Sequence, residues 1–64
     1  MKIKELKKGA MFTKKAIEDP KGSQVWVRGE YDRSAKRYEA INFDDVSRCT
    51  YLKGDTEVFT DFTF

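Results

Sequence analysis

The chain has 64 residues, 39% hydrophobic and 38% charged, with five Phe, three Tyr, one Trp, one Cys, no His and a formal net charge of +2. A chain this short buries only about 60% of the surface its unfolded form exposes, which excludes two cores, while the aromatic content argues against disorder. A lone cysteine excludes an intrachain disulfide, the lack of histidine leaves too few ligands for a zinc site, and no run approaches the roughly 20 apolar residues of a membrane span.

Residues 2–8, KIKELKK, place Ile3 and Leu6 three apart, which fits one helical turn or a short bent strand, and Gly9 ends the element. AMFTKKAI, residues 10–17, reads as a strand with an irregularity near Lys14 and Lys15. EDPKGS then supplies a turn, with Pro20 fixing φ. QVWVRGEY, DRSAK and RYEAINF read as strand, turn and strand, a β-hairpin over residues 24–43.

With a loop at Arg33–Lys36, Tyr31 faces Tyr38 and Asp32 faces Arg37, an aromatic pair and a charge pair. Continuing that register wastes the apolar residues, whereas a one-residue slip sets Val27 against Phe43 and Gly29 against Ile41. Both registers hold if Glu39 or Ala40 is an extra residue opposite Gly29, so a β-bulge is expected there. It gathers Val25, Val27, Ile41 and Phe43 as the core side and leaves Trp26 and Arg28 on the other.

Asp44 and Asp45 lead into SRCTYL, a fourth strand, and Lys53–Asp55 form another turn. EVFTDFTF, residues 57–64, alternates Val58, Thr60, Phe62 and Phe64 against Phe59, Asp61 and Thr63 and reads as a closing strand, with Glu57 and Asp61 keeping its edge from adhering. Short strands with turns every 8 to 12 residues and no long helix indicate an all-β fold. The expectation is one domain over residues 1–64, a small SH3-like barrel of about five antiparallel strands with a short N-terminal element.

IKELKKGAMFT, VWVRGEYDRSAKRY and LKGDTEVFTDFTF together resemble short uncharacterised bacterial proteins that form stand-alone small β-barrels. The resemblance covers nearly the whole chain and implies a bacterial, cytoplasmic protein with an SH3-like fold. It implies no site residues. MKIKELKKG has a positive start but no apolar stretch behind it, so no signal peptide is expected, and the unpaired cysteine agrees with the cytoplasm.

Catalysis finds little support, and no cofactor or metal is expected. Without histidine, a serine or cysteine nucleophile lacks its usual base. Cys49 reads as a small buried hydrophobe. Asp44 and Asp45 are adjacent in sequence and suit a turn rather than an acid and base pair. LKGDT lacks the spacing of a phosphate-binding loop.

Binding is the better reading. Residues 1–38 carry 11 Lys/Arg against 5 Asp/Glu, and residues 39–64 carry 2 against 6. That asymmetry either orients an acidic partner or dissolves into a mixed, solvated surface. In the hairpin, Trp26 and Arg28 share a strand face, Tyr31 and Tyr38 pair, and Arg33, Lys36 and Arg37 cluster at the turn, a set suited to stacking bases and meeting phosphates. The structural alternative packs Trp26 under the N-terminal segment with Arg28 over its ring. The functional alternative is a protein-interaction module, with Trp26, Tyr31, Tyr38 and Tyr51 lining a peptide groove or the C-terminal strand pairing with a second copy in a two-fold dimer. Lys2, Lys4, Lys7 and Lys8 attract anions in either case or simply solubilise the terminus.

Overall fold

A computed structural model describes residues 1–62. Four antiparallel strands form one open sheet in the order β1 (Met11–Thr13), β2 (Val25–Asp32), β3 (Arg37–Asn42) and β4 (Cys49–Lys53). Two single 3-10 turns, Ile3–Glu5 and Gly22–Gln24, precede β1 and β2. Both starts lack a Ser or Asp cap, and the third residue of each turn reaches back instead: Lys2 N donates to Glu5 Oε1 at 2.7 Å and Lys21 N to Gln24 Oε1 at 2.9 Å. Gly9 follows with φ of +91°, a conformation other residues rarely adopt, and turns the chain into β1.

β1 is shorter than the expected 10–17 strand. Its ladder with β2 stops where Thr13 meets Val25, and the Thr13 hydroxyl donates to Lys15 O at 2.6 Å, bending the chain away. β4 begins at Cys49 rather than Ser47, because Asp45 Oδ1 accepts from the Ser47 amide and hydroxyl and holds residues 45–48 in a turn. The expected closing strand is replaced, over its described part, by two isolated bridges, Lys2 with Glu57 and Thr13 with Phe59. Thr63 and Phe64 lie outside the described residues.

β2 and β3 pair next to the turn as expected, Tyr31 with Tyr38 and Asp32 with Arg37. Beyond it the partners are Arg28 with Ala40, Val27 with Ile41 and Trp26 with Asn42, so the register slips between Arg28 and Tyr31. A bulge therefore sits at Gly29, but its extra residue belongs to β2: Gly29 and Glu30 stand against Glu39 alone. The expected slip would have set Trp26 against Asp44 and drawn a carboxylate onto the buried side. A side chain at Gly29 would collide with that of Glu39, so the crowded strand carries the glycine.

In either register Val25, Val27, Ile41 and Phe43 share one face and Trp26 and Arg28 the other; the difference from expectation is that the second face is the buried one. Phe12, Trp26 and Ala40 form the core with Ile3 and Val58 from the terminal segments, bordered by Leu6, Tyr38 and Leu52. Of the expected core set, Val25 is buried, Val27 and Ile41 are half-buried, and Phe43 is 47% exposed. The reason lies in β3, where the positions alternating with Ile41 are Arg37 and Glu39, which an unpaired core does not accept. The inner face is closed by Val58 N donating to Met1 O at 2.7 Å and Ile3 N to Thr56 O at 3.0 Å. Among the described residues no helix is long and apolar enough to cross a membrane.

Candidate nucleic-acid interface

The hairpin turn gathers cations without neutralising them. Asp32, the expected partner of Arg37, instead accepts from the Ser34 and Ala35 amides at 2.9 and 3.3 Å and so stabilises the turn. Lys36 adopts the left-handed region, φ of 55°. Arg33, Lys36 and Arg37 are exposed, and Arg37 stands directly across from Lys53 of β4. Among the described residues the ion pairs are Met1 amine with Glu57 at 3.2 Å and Lys8 with Glu30, so none of the turn cations is paired.

Beside the turn the bulge builds a stack. In an unbroken strand Arg28 and Tyr31, three apart, would point to opposite faces; the extra residue brings both to the side of Tyr38. The Tyr31 and Tyr38 rings lie 4.6 Å apart at 46°, and the Arg28 guanidinium carbon is 4.5 Å from the Tyr38 ring centre. Arg28 Nη1 donates to Gly29 O at 2.7 Å, while its buried Nε has no hydrogen-bond partner among the described residues. The guanidinium thus serves the carbonyl at the bulge and the Tyr38 face. Tyr31 stays 42% exposed and offers the free ring of the stack.

Trp26 is not the open platform that the strand alternation suggested. It is 8% exposed and packs in the core. The structural alternative holds in outline but with other cations: Lys14 Nζ lies 4.0 Å from the indole ring and the Arg48 guanidinium carbon 5.9 Å, while Arg28 serves Tyr38. The pairing of Phe12 with Trp26 across β1 and β2 was the only signal that Lys14 would lie nearby, and nothing in the sequence marked Arg48. A shallow depression of about 410 Å3 opens here, lined by Lys14, Lys15, Gln24, Trp26 and Arg48 among others.

The seven expected residues therefore divide. Arg33 and Lys36 form the cationic turn and Arg28, Tyr31 and Tyr38 the stack beside it; Arg37 borders the turn but projects with Glu39 to the opposite face, and Trp26 lies four β3 positions, about 13 Å, from the Tyr31–Tyr38 pair. Tyr51 projects with Glu39 to the opposite face, so the four aromatics proposed for a peptide groove do not line one. A second depression of about 490 Å3, walled by Ala16, Ile17, Phe59 and Phe62, carries Glu18 and Asp61 and does not suit a polyanion. Cys49, expected to be buried, is exposed.

Comparison with protein-family models, with curated proteins and with solved structures finds no match to this chain.

Proposed function

We propose that this is a small non-catalytic binding module that holds nucleic acid at the hairpin end. The observation that carries the reading is the cationic turn of Arg33 and Lys36, unpaired among the described residues, beside the half-exposed Tyr31 ring, with Arg37 at the edge of the same turn on the other face. Guanidinium and ammonium groups meet phosphates, and a free aromatic face accepts an unstacked base, which favours single strands over duplex. As the finer architecture we propose an SH3-like barrel, supported by the bridges that draw Glu57 to Lys2 and Phe59 to the β1 edge at Thr13. Those same bridges weigh against the alternative in which the C-terminal segment is an open edge for a second molecule.

The test is fluorescence anisotropy of labelled single-stranded DNA, duplex DNA and RNA across a salt series. Indole emission is a poor reporter, since Trp26 is buried and distant. Two phosphate contacts on a single strand, from Arg33 and Lys36, give a slope of log K against log salt of about −1.4, and Arg33→Gln reduces it by about 0.7. Tyr31→Ala weakens single-strand binding by about 1 to 3 kcal/mol and duplex binding less. Absence of salt-dependent binding to all three rejects the reading, and binding to polyglutamate alone transfers the site to an acidic protein partner.

A further inference from the structure

The depression over Trp26, at the end of the buried face away from the hairpin turn, is lined by donors. Lys14 and Lys15 follow β1, Ser23 and Gln24 close the second 3-10 turn, Trp26 lies on β2, and Arg48 immediately precedes β4. Lys14 Nζ is 4.0 Å from the indole ring centre and the Arg48 guanidinium carbon 5.9 Å, so two like charges converge on one side chain. The ring attracts both but neutralises neither. Among the described residues the side chains of Lys14, Lys15 and Arg48 make no ion pair and no hydrogen bond.

Carboxylates stand outside this lining. Asp45, in the β3–β4 turn, accepts from the Ser47 amide and hydroxyl, the Asp44 carboxyl lies against Gly22, and Glu18 faces the neighbouring depression. Gln24 Oε1 accepts from Lys21 N at 2.9 Å, which leaves its NH2 group to donate, and the exposed Ser23 lies beside it. Three cations, an amide and a hydroxyl therefore meet with no acidic side chain between them.

We propose that this depression is a second anion site, separate from the hairpin end, and that it takes a phosphomonoester. Such a group carries about −1.5 to −2 charges at neutral pH and three acceptor oxygens, which suits several converging donors better than the single charge of a phosphodiester or a carboxylate. A volume of about 410 Å3 holds the phosphate with part of the molecule that bears it. Lys14 already covers the indole face, so no ring of the ligand stacks there and selection rests on the phosphate. Its arrival draws the Lys14 ammonium off the ring.

Trp26 is the one tryptophan of the chain, so its emission reports this site rather than the hairpin. Glycerol phosphate and thymidine monophosphate are expected to give a saturable emission change with similar affinity, absent with sodium chloride at the same ionic strength. In calorimetric titration of the same esters, Lys14→Gln and Arg48→Gln each weaken binding about tenfold or more, while Arg33→Gln leaves it unchanged. Both positions are exposed, and circular dichroism checks that the variants fold. An oligothymidylate with a terminal phosphate, added to the Arg33→Gln, Lys36→Gln double variant, identifies the source. Displacement of the monoester by this strand, and not by its unphosphorylated form, supports the site with a strand end as ligand; binding of the free esters alone supports it with a small molecule. No saturable response to either ester, an equal response to chloride, or an affinity untouched by both substitutions overturns the proposal and leaves the reading of the hairpin standing.

Discussion

Lys36 occupies a left-handed backbone position that a glycine or asparagine fills at lower cost. Lys36→Gly is therefore expected to raise the urea midpoint or leave it unchanged, by about 0 to 1 kcal/mol, while lowering the salt slope of nucleic-acid binding. A variant that gains stability and loses affinity separates the ligand role of this side chain from any structural one. Asn42 is the opposite case: it is 1% exposed, its Nδ2 donates to Ser23 O at 3.0 Å, and its Oδ1 accepts from the Asp44 and Asp45 amides at 3.1 and 3.2 Å. Asn42→Ala strands three backbone groups, and we expect a loss of about 2 to 3 kcal/mol in urea unfolding. Two surface carboxyls contribute to the response to acid. The Lys8 ammonium bonded to Glu30, and the Ser47 hydroxyl and amide bonded to Asp45, hold both carboxyls below their ordinary values. Their contribution is present above the unfolded carboxyl pKa, near 4, and is lost as pH falls through the lower folded values. Urea midpoints measured downward from neutral pH should decline in that window, and less so in Glu30→Gln.

The bulge is the element on which the hairpin's geometry turns. Gly29→Ala forces the Glu39 side chain aside, including its Cβ at 3.2 Å, and should cost about 1 to 2 kcal/mol. Arg28→Leu removes the donor to Gly29 O, and the expected outcome is faster amide exchange around residues 28–31 with little change elsewhere. The sequence made the turn and the first two pairs of the ladder legible, because the Tyr31–Tyr38 match and the turn formers between them leave one good alignment. It made the presence of a bulge legible as well. Which face is buried was not legible from β2 alone, since Val25 and Val27 are more apolar than Trp26 and Arg28 by any average. The charges at Arg37 and Glu39 were the better guide, because a face bearing both cannot be the buried one. The candidate site was readable where it depends on the turn and unreadable at Trp26, whose cations come from Lys14 and Arg48, far apart in the chain.

At the scale of the molecule, a chain of this size is stable by only about 3 to 10 kcal/mol. Phe12→Ala removes a fully buried ring worth about 3 to 5 kcal/mol, so we expect a largely unfolded protein at 37 °C by circular dichroism, while Val46→Ala, at an 80% exposed loop position, should change little. The strands pair in chain order, but the inner face is sealed only when Ile3 meets Val58 and Lys2 bridges to Glu57. Whenever residues 57–59 lift away, an indole and a phenyl ring consequently lose their cover, and that local opening is the state in which chaperones or neighbouring chains would meet them.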